Sequence, residues 1–459
     1  MRLVNPAGWG GRLRGSPSGA RAPLKARLAR GAAGAFSIKV VGTGISFLAQ
    51  LVLARVLGAE SYGVYAYVLA WTTLLALLAT LGFQQGLLRF ASAYLAQERW
   101  GLLRGVVRYA QTRVAMAGTA VAAIGTALIV GFGDDLATEL RGAFLIGVIM
   151  VPVLALLQVW CSLLRAFGRV LAALAPDLLL RHLFVLIGVA TLGIVHVDDV
   201  RAPLAMAVML GATVLSLAIA SWSLRRARPA AMIDAPIAEK RPVWLSATRF
   251  MLLMAGAQLL MERADVLLLG WFAGTTEAGI YSIAYRIAVL VTFVLTAVNI
   301  VFAPTIAALY ARDDRSGLQS LVTITAWWIT ASALAIALPL LVVTPFWLGL
   351  FGEAFVAGAS ALRILVVGQL ISAMAGSVGY LMMMTGQERQ AAFIIVAATV
   401  GNVVLNLLLI PPFGMEGAAI AHAATLIAWN LAMAIFIWRK LDIVPSIVGS
   451  LRGTPAAHR

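Results

Sequence analysis

Apolar runs long enough to cross a bilayer recur along this chain, and they constrain its fold more than any other feature. A helix needs about 20 such residues to traverse a hydrocarbon core of roughly 30 Å. Inside that core every backbone N–H and C=O must find its partner within the protein, so such runs fold as helices. They fall near residues 34–56, 63–83, 108–132, 142–165, 177–197, 202–224, 250–272, 279–302, 320–343, 360–384, 391–410 and 417–438, twelve in all. Of the 459 residues, 62% are hydrophobic and only 12% are charged, whereas a soluble domain is about 25% charged. The mean hydropathy is +0.95. The expected fold is an all-α polytopic membrane protein with no separate soluble domain. Two places are less regular: Arg108 and Arg113 fray the start of the third run, and residues 345–358 read as a short interfacial helix or a loop.

The connections between runs alternate in charge. The first, third and fifth hold Glu60, then Asp134, Asp135 and Glu139, then Asp198 and Asp199, with Arg141 and Arg201 as their only bases. The seventh, ninth and eleventh hold Glu277, Glu353 and Glu416 and no base. The even-numbered connections carry Arg89, Arg99 and Arg104; Arg165 and Arg169; a cluster between Arg225 and Arg249; Arg312 and Arg315; and Arg389. Arg439, Lys440 and Arg452 follow the last run. Lys and Arg accumulate on the cytoplasmic side, so both termini are expected there. Residues 1–33, basic and free of acids, read as a disordered cytoplasmic N-terminus, and the run after them is too long for a signal peptide. A net charge of +16 can mark a nucleic-acid binder. Here the bases gather in the N-terminus and between runs, where they serve topology and anionic headgroups, so no nucleic-acid partner is expected. The single cysteine, Cys161, reads as a small buried hydrophobe.

A shift of 216 residues (274 − 58) lays the second half of the chain on the first. Gly58, Gly63 and Tyr65 then meet Gly274, Gly279 and Tyr281; Tyr94, Arg99 and Gly101 meet Tyr310, Arg315 and Gly317; Trp222 meets Trp438. With six runs in each half the repeats share one orientation, related by an axis along the membrane normal. The expected organisation is a six-helix lobe over 34–224, a basic linker over 225–249, a second lobe over 250–440, and a cytoplasmic tail over 441–459.

The seventh run differs from the rest because Glu262, Arg263 and Asp265 lie inside it. Each charge at a bilayer centre costs about 2.5–3.5 kcal/mol on insertion scales. Gln258, Glu262 and Asp265 fall at i, i+4 and i+7, one polar stripe that must face protein or a cavity. A buried ion-pair brace and the wall of a substrate or ion pathway both meet that requirement. Shifted by 216, the three charges correspond to Ser46, Phe47 and Ala49, and Arg286 corresponds to Ala70. A scaffolding device of the repeat would occur in both halves, so the asymmetry favours function. Arg286 lies about 10 Å beyond Gly279, with Asp265 about 7–8 Å and Glu262 about 12 Å deep beside it. Paired with Asp265, Arg286 is structural; if Arg263 satisfies the carboxylates, Arg286 is free to meet an anion.

Lys39, Arg181, Arg55 and Arg363 lie near the ends of their runs and can snorkel, and Arg181 has Asp177 at i−4. If Lys39, Arg55, Arg89, Arg286 and Arg363 instead share one cavity, it suits a phosphate or pyrophosphate. Asn299, Asn402 and Asn406 are candidates for hydrogen bonds there, or for packing between helices. His182 and His422 have no carboxylate cluster beside them in sequence and read as packing residues. No Walker loop, dinucleotide fingerprint, zinc spacing or nucleophile motif is present. No enzymatic activity, metal or cofactor is therefore expected.

LARVLGAESYGVYAYV (53–68), MERADVLLLGWFAGTTEAGIYSIAYRI (261–287) and LNLLLIPPFGMEGAAIAHA (405–423) resemble the polysaccharide-transporter branch of the multidrug, oligosaccharidyl-lipid and polysaccharide flippase superfamily. The resemblance covers nearly all of 34–440. It implies two six-helix lobes around a central cavity, alternating access, and a lipid tail left in the bilayer through a side gate. It further implies an undecaprenyl-diphosphate-linked oligosaccharide as substrate, flipped in the bacterial cytoplasmic membrane for O-antigen or exopolysaccharide biosynthesis. Arg55, Asp265 and Arg286 occupy family-like positions, and the two extra spans of the lipid II flippases are absent. Expected partners are the lipid-linked oligosaccharide and membrane lipids, with a polysaccharide polymerase and chain-length proteins as further candidates. The rival readings are an ion-coupled drug exporter of the same superfamily and a non-transporting membrane scaffold for polymer assembly.

Overall fold

The computed structural model describes residues 21–194 and 200–445. The chain before residue 21, the connection with Asp198 and Asp199, and the tail with Arg452 lie outside the described residues. Every regular element among the described residues is helical. The first half comprises α1 (Arg21–Ala79), α2 (Phe83–Ala96), α3 (Trp100–Phe132) and α4 (Thr138–Ala166). It continues with α5 (Val170–Leu174), a π-helical turn at Ala175–Leu180, α6 (Arg181–Ile194), α7 (Ala202–Ala227) and the short α8 (Ala230–Asp234). The second half begins with α9 (Arg241–Phe272) and α10 (Thr275–Ala288), which passes through a 3-10 turn into α11 (Phe293–Ala311). Then come α12 (Arg315–Val342), α13 (Thr344–Gly349), α14 (Ala359–Met374), α15 (Val378–Met384) and α16 (Glu388–Leu441). α1 starts inside the stretch expected to be disordered, and α9 starts inside the expected linker.

Two of these helices are hairpins. Gly58 (φ 69°) and Gly414 (φ 53°) interrupt α1 and α16 with backbone conformations that favour glycine. The chain reverses at both. Tyr62 donates its hydroxyl to Gln50 Oε1 at 2.7 Å, a separation that straight helix would stretch to about 18 Å. At the second bend, a Cβ on Gly417 would lie 2.1 Å from the carbonyl oxygen of Leu409. Nine helices among the described residues are long and apolar enough to cross a membrane, and both hairpins are among the nine. α9 is not, because its three central charges interrupt the apolar run. Together these elements have room for the twelve crossings read from the sequence. α3 runs unbroken through Arg108 and Arg113, and the 345–358 segment forms α13 and a 3-10 turn, the helical alternative.

The apolar core is shared at one end of the bundle and divided at the other. Leu53, Tyr65 and Met206 of the first half pack in one cluster with Tyr281, Ile287, Phe355 and Leu365 of the second. Beyond it, Phe83, Leu103, Leu157 and Trp244 form a core of their own. Ile306, Leu318, Met382 and Met433 form another. The halves are therefore closed against each other at one end. At the end that carries the basic connections their cores are distinct, and only the start of α9, with Trp244, is seen to pack into the first half among the described residues.

The closed end is sealed by backbone. Gly63 and Gly279, equivalent under the 216-residue shift, lie against each other: a Cβ on Gly279 would come 2.4 Å from the Gly63 Cα, and one on Gly63 would come 2.2 Å from the Thr275 carbonyl oxygen. Equivalent residues of two repeats touch each other only on the axis that relates them, so this contact marks the local two-fold of the bundle. Gly279→Ala should therefore overpack the junction and cost roughly 1–3 kcal/mol. Gly256→Ala, with nothing within 4 Å of the added Cβ, should be near neutral. A thermal melt followed by a thiol-reactive dye on the buried Cys161 checks the contrast.

Candidate functional site

Between the halves lies a cavity of about 480 Å³, walled by α1, α9, α10 and the start of α11, with Leu178 and His182 closing one side. Its polar lining comes from Lys39, Ser46, Gln50 and Tyr62 on α1 and from Glu262, Arg263, Ser282, Tyr285 and Arg286 on α9 and α10. Three cations and one carboxylate thus face the space. None of Lys39, Arg263 and Arg286 has a carboxylate within 4 Å among the described residues. Arg286 reaches across the halves instead, donating from Nη1 to Ser46 Oγ at 3.3 Å. Arg263 Nε is buried without a hydrogen-bond partner among the described residues. A cavity with forked guanidinium groups left unpaired is suited to an anion with several acceptor oxygens.

Asp265, on the same helix, faces away from the cavity. Its carboxylate is 1% exposed and fully occupied. Oδ1 accepts from Asn406 Nδ2 at 2.8 Å and from Asn402 Nδ2 at 3.4 Å. Oδ2 accepts from the Tyr281 hydroxyl at 2.8 Å and lies 2.7 Å from His422 Nδ1. The network joins α9, α10 and both limbs of the α16 hairpin, so it braces the second half. Tyr285 connects it to the cavity: its ring meets the His422 ring edge-on at 5.0 Å and stacks on Tyr281 at 6.4 Å.

The sequence expectation that Arg286 lies between Asp265 and Glu262 in depth is corrected here, and the cause is the reference point. The turn lies at Gly274, where α10 already starts, not at Gly279. Counted from Gly274, Asp265 is about 13 Å deep while Arg286 and Glu262 are about 18 Å. The same reckoning shows the signal that was missed: Asn406 and His422 each lie eight residues from Gly414, about 12 Å deep, level with Asp265. His422 thus does have a carboxylate beside it, contributed by another helix.

The other candidates divide. Lys39, Glu262, Arg263 and Arg286 line the cavity, while Arg55, Arg89, Arg363 and Asn299 do not. Arg55 donates to the Leu350 carbonyl at 2.6 Å and Arg363 to Thr344 Oγ1 at 3.3 Å. Both tie helix ends together near the closed end. Arg89 lies exposed on α2 with its guanidinium 5.7 Å from the Phe90 ring. Asn299 is buried in α11 with its Oδ1 unpaired. Gln258 is exposed one turn before Glu262 and outside the cavity wall. Arg181 pairs with Asp177 at 3.0 Å, the i−4 partner read from the sequence. Among the described residues no group of three His, Cys, Asp or Glu side chains is placed to hold a metal.

Because Asp265 and Arg286 belong to different networks, their substitutions should add. Asp265→Ala strands buried donors and should cost about 3–5 kcal/mol. Asp265→Asn combined with Arg286→Gln should be no more stable than the sum of the two single changes, within roughly 0.5 kcal/mol. Melting of the three variants measures the coupling; rescue by the double substitution would restore a direct pair.

Comparison with known proteins agrees with this architecture. A sequence profile of the polysaccharide biosynthesis protein family matches residues 28–310, and a MatE profile matches 251–408. A probable low-salt glycan biosynthesis flippase, Agl15 of Haloferax volcanii, is 26% identical over 163 residues, 35% of this chain and 34% of that protein. That match spans only about a third of the relative's length. Among solved structures, an inward-facing multidrug resistance MATE transporter superposes with a TM-score of 0.71 at 16% identity, covering 90% of this chain and 98% of that one. The lipid II flippase MurJ in an inward closed conformation gives 0.67 at 13% identity, over 88% and 87%. The profile covers well over half of the sequence, and the chain belongs to the polysaccharide biosynthesis protein family, the flippase branch of the superfamily that also holds the multidrug and oligosaccharidyl-lipid transporters.

Proposed function

We propose that this protein flips an undecaprenyl-diphosphate-linked oligosaccharide across the bacterial cytoplasmic membrane, for synthesis of a surface polysaccharide such as O-antigen or exopolysaccharide. One observation carries the reading: Lys39, Arg263 and Arg286 face an inter-half cavity with no carboxylate within salt-bridge distance. A diphosphate supplies the missing negative charge, and its oxygens match forked guanidinium donors. The sugars then occupy the rest of the cavity, with Gln50, Tyr62 and Tyr285 as hydrogen-bonding and stacking walls. The polyprenyl tail is too apolar for such a cavity and stays in the bilayer. In this reading the separated, base-bearing end faces the cytoplasm, both termini lie there, and the junction at Gly63 and Gly279 closes the periplasmic side. A cation exporter would need a cavity of the opposite sign.

Glu262 is the one carboxylate in the cavity, and the Tyr285–His422 contact leads from that wall to Asp265. These groups are the candidates for coupling flipping to an ion gradient. The polymerase and chain-length proteins of the same biosynthesis are the natural partners downstream.

Three measurements test the proposal. Arg286→Ala should abolish complementation of a flippase-null strain at near-normal protein level, and Arg286→Lys should restore it in part because it keeps charge but loses the fork. Loss of the protein from the membrane would instead assign Arg286 a structural role. Glu262→Gln should retain substrate binding and lose dependence on a pH gradient; unchanged dependence would move coupling elsewhere. Reporter fusions after Arg241 and Leu441 should both read as cytoplasmic, and a periplasmic signal at Leu441 would overturn the topology.

A further inference from the structure

A second cationic site lies outside the cavity, on the outer flank of α3. The segment between the halves is strapped along the first turns of that helix. Ala238 N–H donates to the Gly101 carbonyl at 3.1 Å, and Arg104 Nη1 donates to the Ala235 carbonyl at 2.7 Å. Gly105 lets the strap lie close, since a Cβ there would come 1.9 Å from the Ala238 carbonyl oxygen. Trp244 pins the far end, fully buried, with its indole N–H donated to the Tyr94 hydroxyl at 3.0 Å. Two adjoining pockets open between strap and helix, with Arg108 common to both. The larger, about 500 Å³, holds Arg108, Arg113 and Arg241 around Tyr109 and Thr112. The smaller, about 200 Å³, holds Arg104, Arg108 and Arg228.

These guanidinium groups converge without enough acceptors. Arg113 and Arg241 lie 5.3 and 5.7 Å from the same Tyr109 ring centroid. Glu239 is the one carboxylate lining either pocket, and it is engaged by Arg241 Nε at 2.5 Å. Arg108 and Arg113 are exposed, and neither forms a side-chain ion pair among the described residues. Arg228 Nε is buried and has no hydrogen-bond partner among the described residues. The strap therefore gathers positive charge and leaves donors vacant.

Depth identifies the missing partner. Arg113 lies nineteen residues before Phe132 (132 − 113), or about 28 Å along the helix. Over that length Met116, Ile124, Leu128, Val130 and Phe132 are exposed, an apolar flank matched to a hydrocarbon core of roughly 30 Å. The arginine pockets thus sit where headgroup phosphates lie. We infer that they bind the phosphate of an anionic phospholipid in the leaflet on the strap side, with its acyl chains along the apolar flank of α3. The phosphodiester takes charge-assisted hydrogen bonds from the vacant guanidinium donors. A bound lipid then fastens the strap, and with it the start of α9, to the first half. The inference rests on the membrane placement of α3 and not on the transported substrate.

The test is lipid retention by native mass spectrometry of the purified full chain, after exchange into mixed micelles of phosphatidylglycerol and phosphatidylcholine. The wild type should keep phosphatidylglycerol preferentially. Arg108→Gln, Arg113→Gln and Arg241→Gln together should reduce that retention at least about tenfold, since each basic group near an anionic surface contributes roughly fivefold. Arg99→Gln, Arg312→Gln and Arg389→Gln together remove the same charge from exposed positions elsewhere and should leave retention unchanged. Equal retention of both lipids by the wild type, or equal loss in both triple variants, would overturn the site. Displacement of phosphatidylglycerol by undecaprenyl diphosphate but not by inorganic phosphate would reassign it as a substrate entry point. Melting of each variant in lipid-free detergent guards against misfolding: a triple variant that melts early is replaced by Arg113→Gln alone. Transport is not read at any step, so failure here is separable from failure of the proposed function.

Discussion

The arrangement depends on one place where backbone meets backbone. Gly63 and Gly279 are the same position of two repeats, and no side chain separates them. Close approach of this kind draws on dispersion and on the absence of side-chain entropy loss, the means by which helices associate where lipid removes the hydrophobic drive. Around that contact Tyr65, Tyr281 and Phe355 fill the shared core. At the far end the two cores are distinct, and α9 links them through Trp244, which lies in the core of the first half.

Charge is sorted by the two faces of α9. Asp265 turns inward and is satisfied by Tyr281, Asn402, Asn406 and His422 within the second half. Had it met Arg286 instead, the cavity would be close to neutral and its main guanidinium spent. Burying the acid among two amides, a phenol and an imidazole keeps it away from Arg263, two residues before it on the same helix, and from Arg286 on α10. One helix thereby carries a brace on one side, through Asp265, and cavity-lining charges on the other, through Glu262 and Arg263.

Much of this was legible in the sequence. The apolar runs and the 216-residue repeat led to helices and a local two-fold, because each is a periodicity, and periodicity survives into three dimensions. The i, i+4, i+7 stripe did not hold as one face, since Glu262 lines the cavity, Asp265 turns to α16 and Gln258 lies outside the cavity wall. Depth was less readable. Arg286 was placed between Asp265 and Glu262 in depth because Gly279 was taken as the start of its helix, whereas α10 starts at Thr275. Assignment to the cavity failed for Arg55, Arg89 and Arg363 because residues near helix ends have carbonyls and rings within reach, and these are invisible without the fold. Asn402, Asn406 and His422 were seen singly. Their convergence on Asp265 needed the Gly414 reversal to bring two limbs of one helix to the same height.

The strap on α3 changes what joins the two halves. Trp244 roots α9 in the core of the first half, while Asp265 roots the same helix in the second. α9 is thus a beam clamped at both ends, with open space beside Gly256 between the clamps. Any rocking of the halves must be taken up as curvature of that middle stretch. An unpaired backbone group is costly in lipid, and α9 is unbroken helix from Arg241 to Phe272, so curvature there is spread over several turns. α9 accordingly ties a displacement of either half to the other.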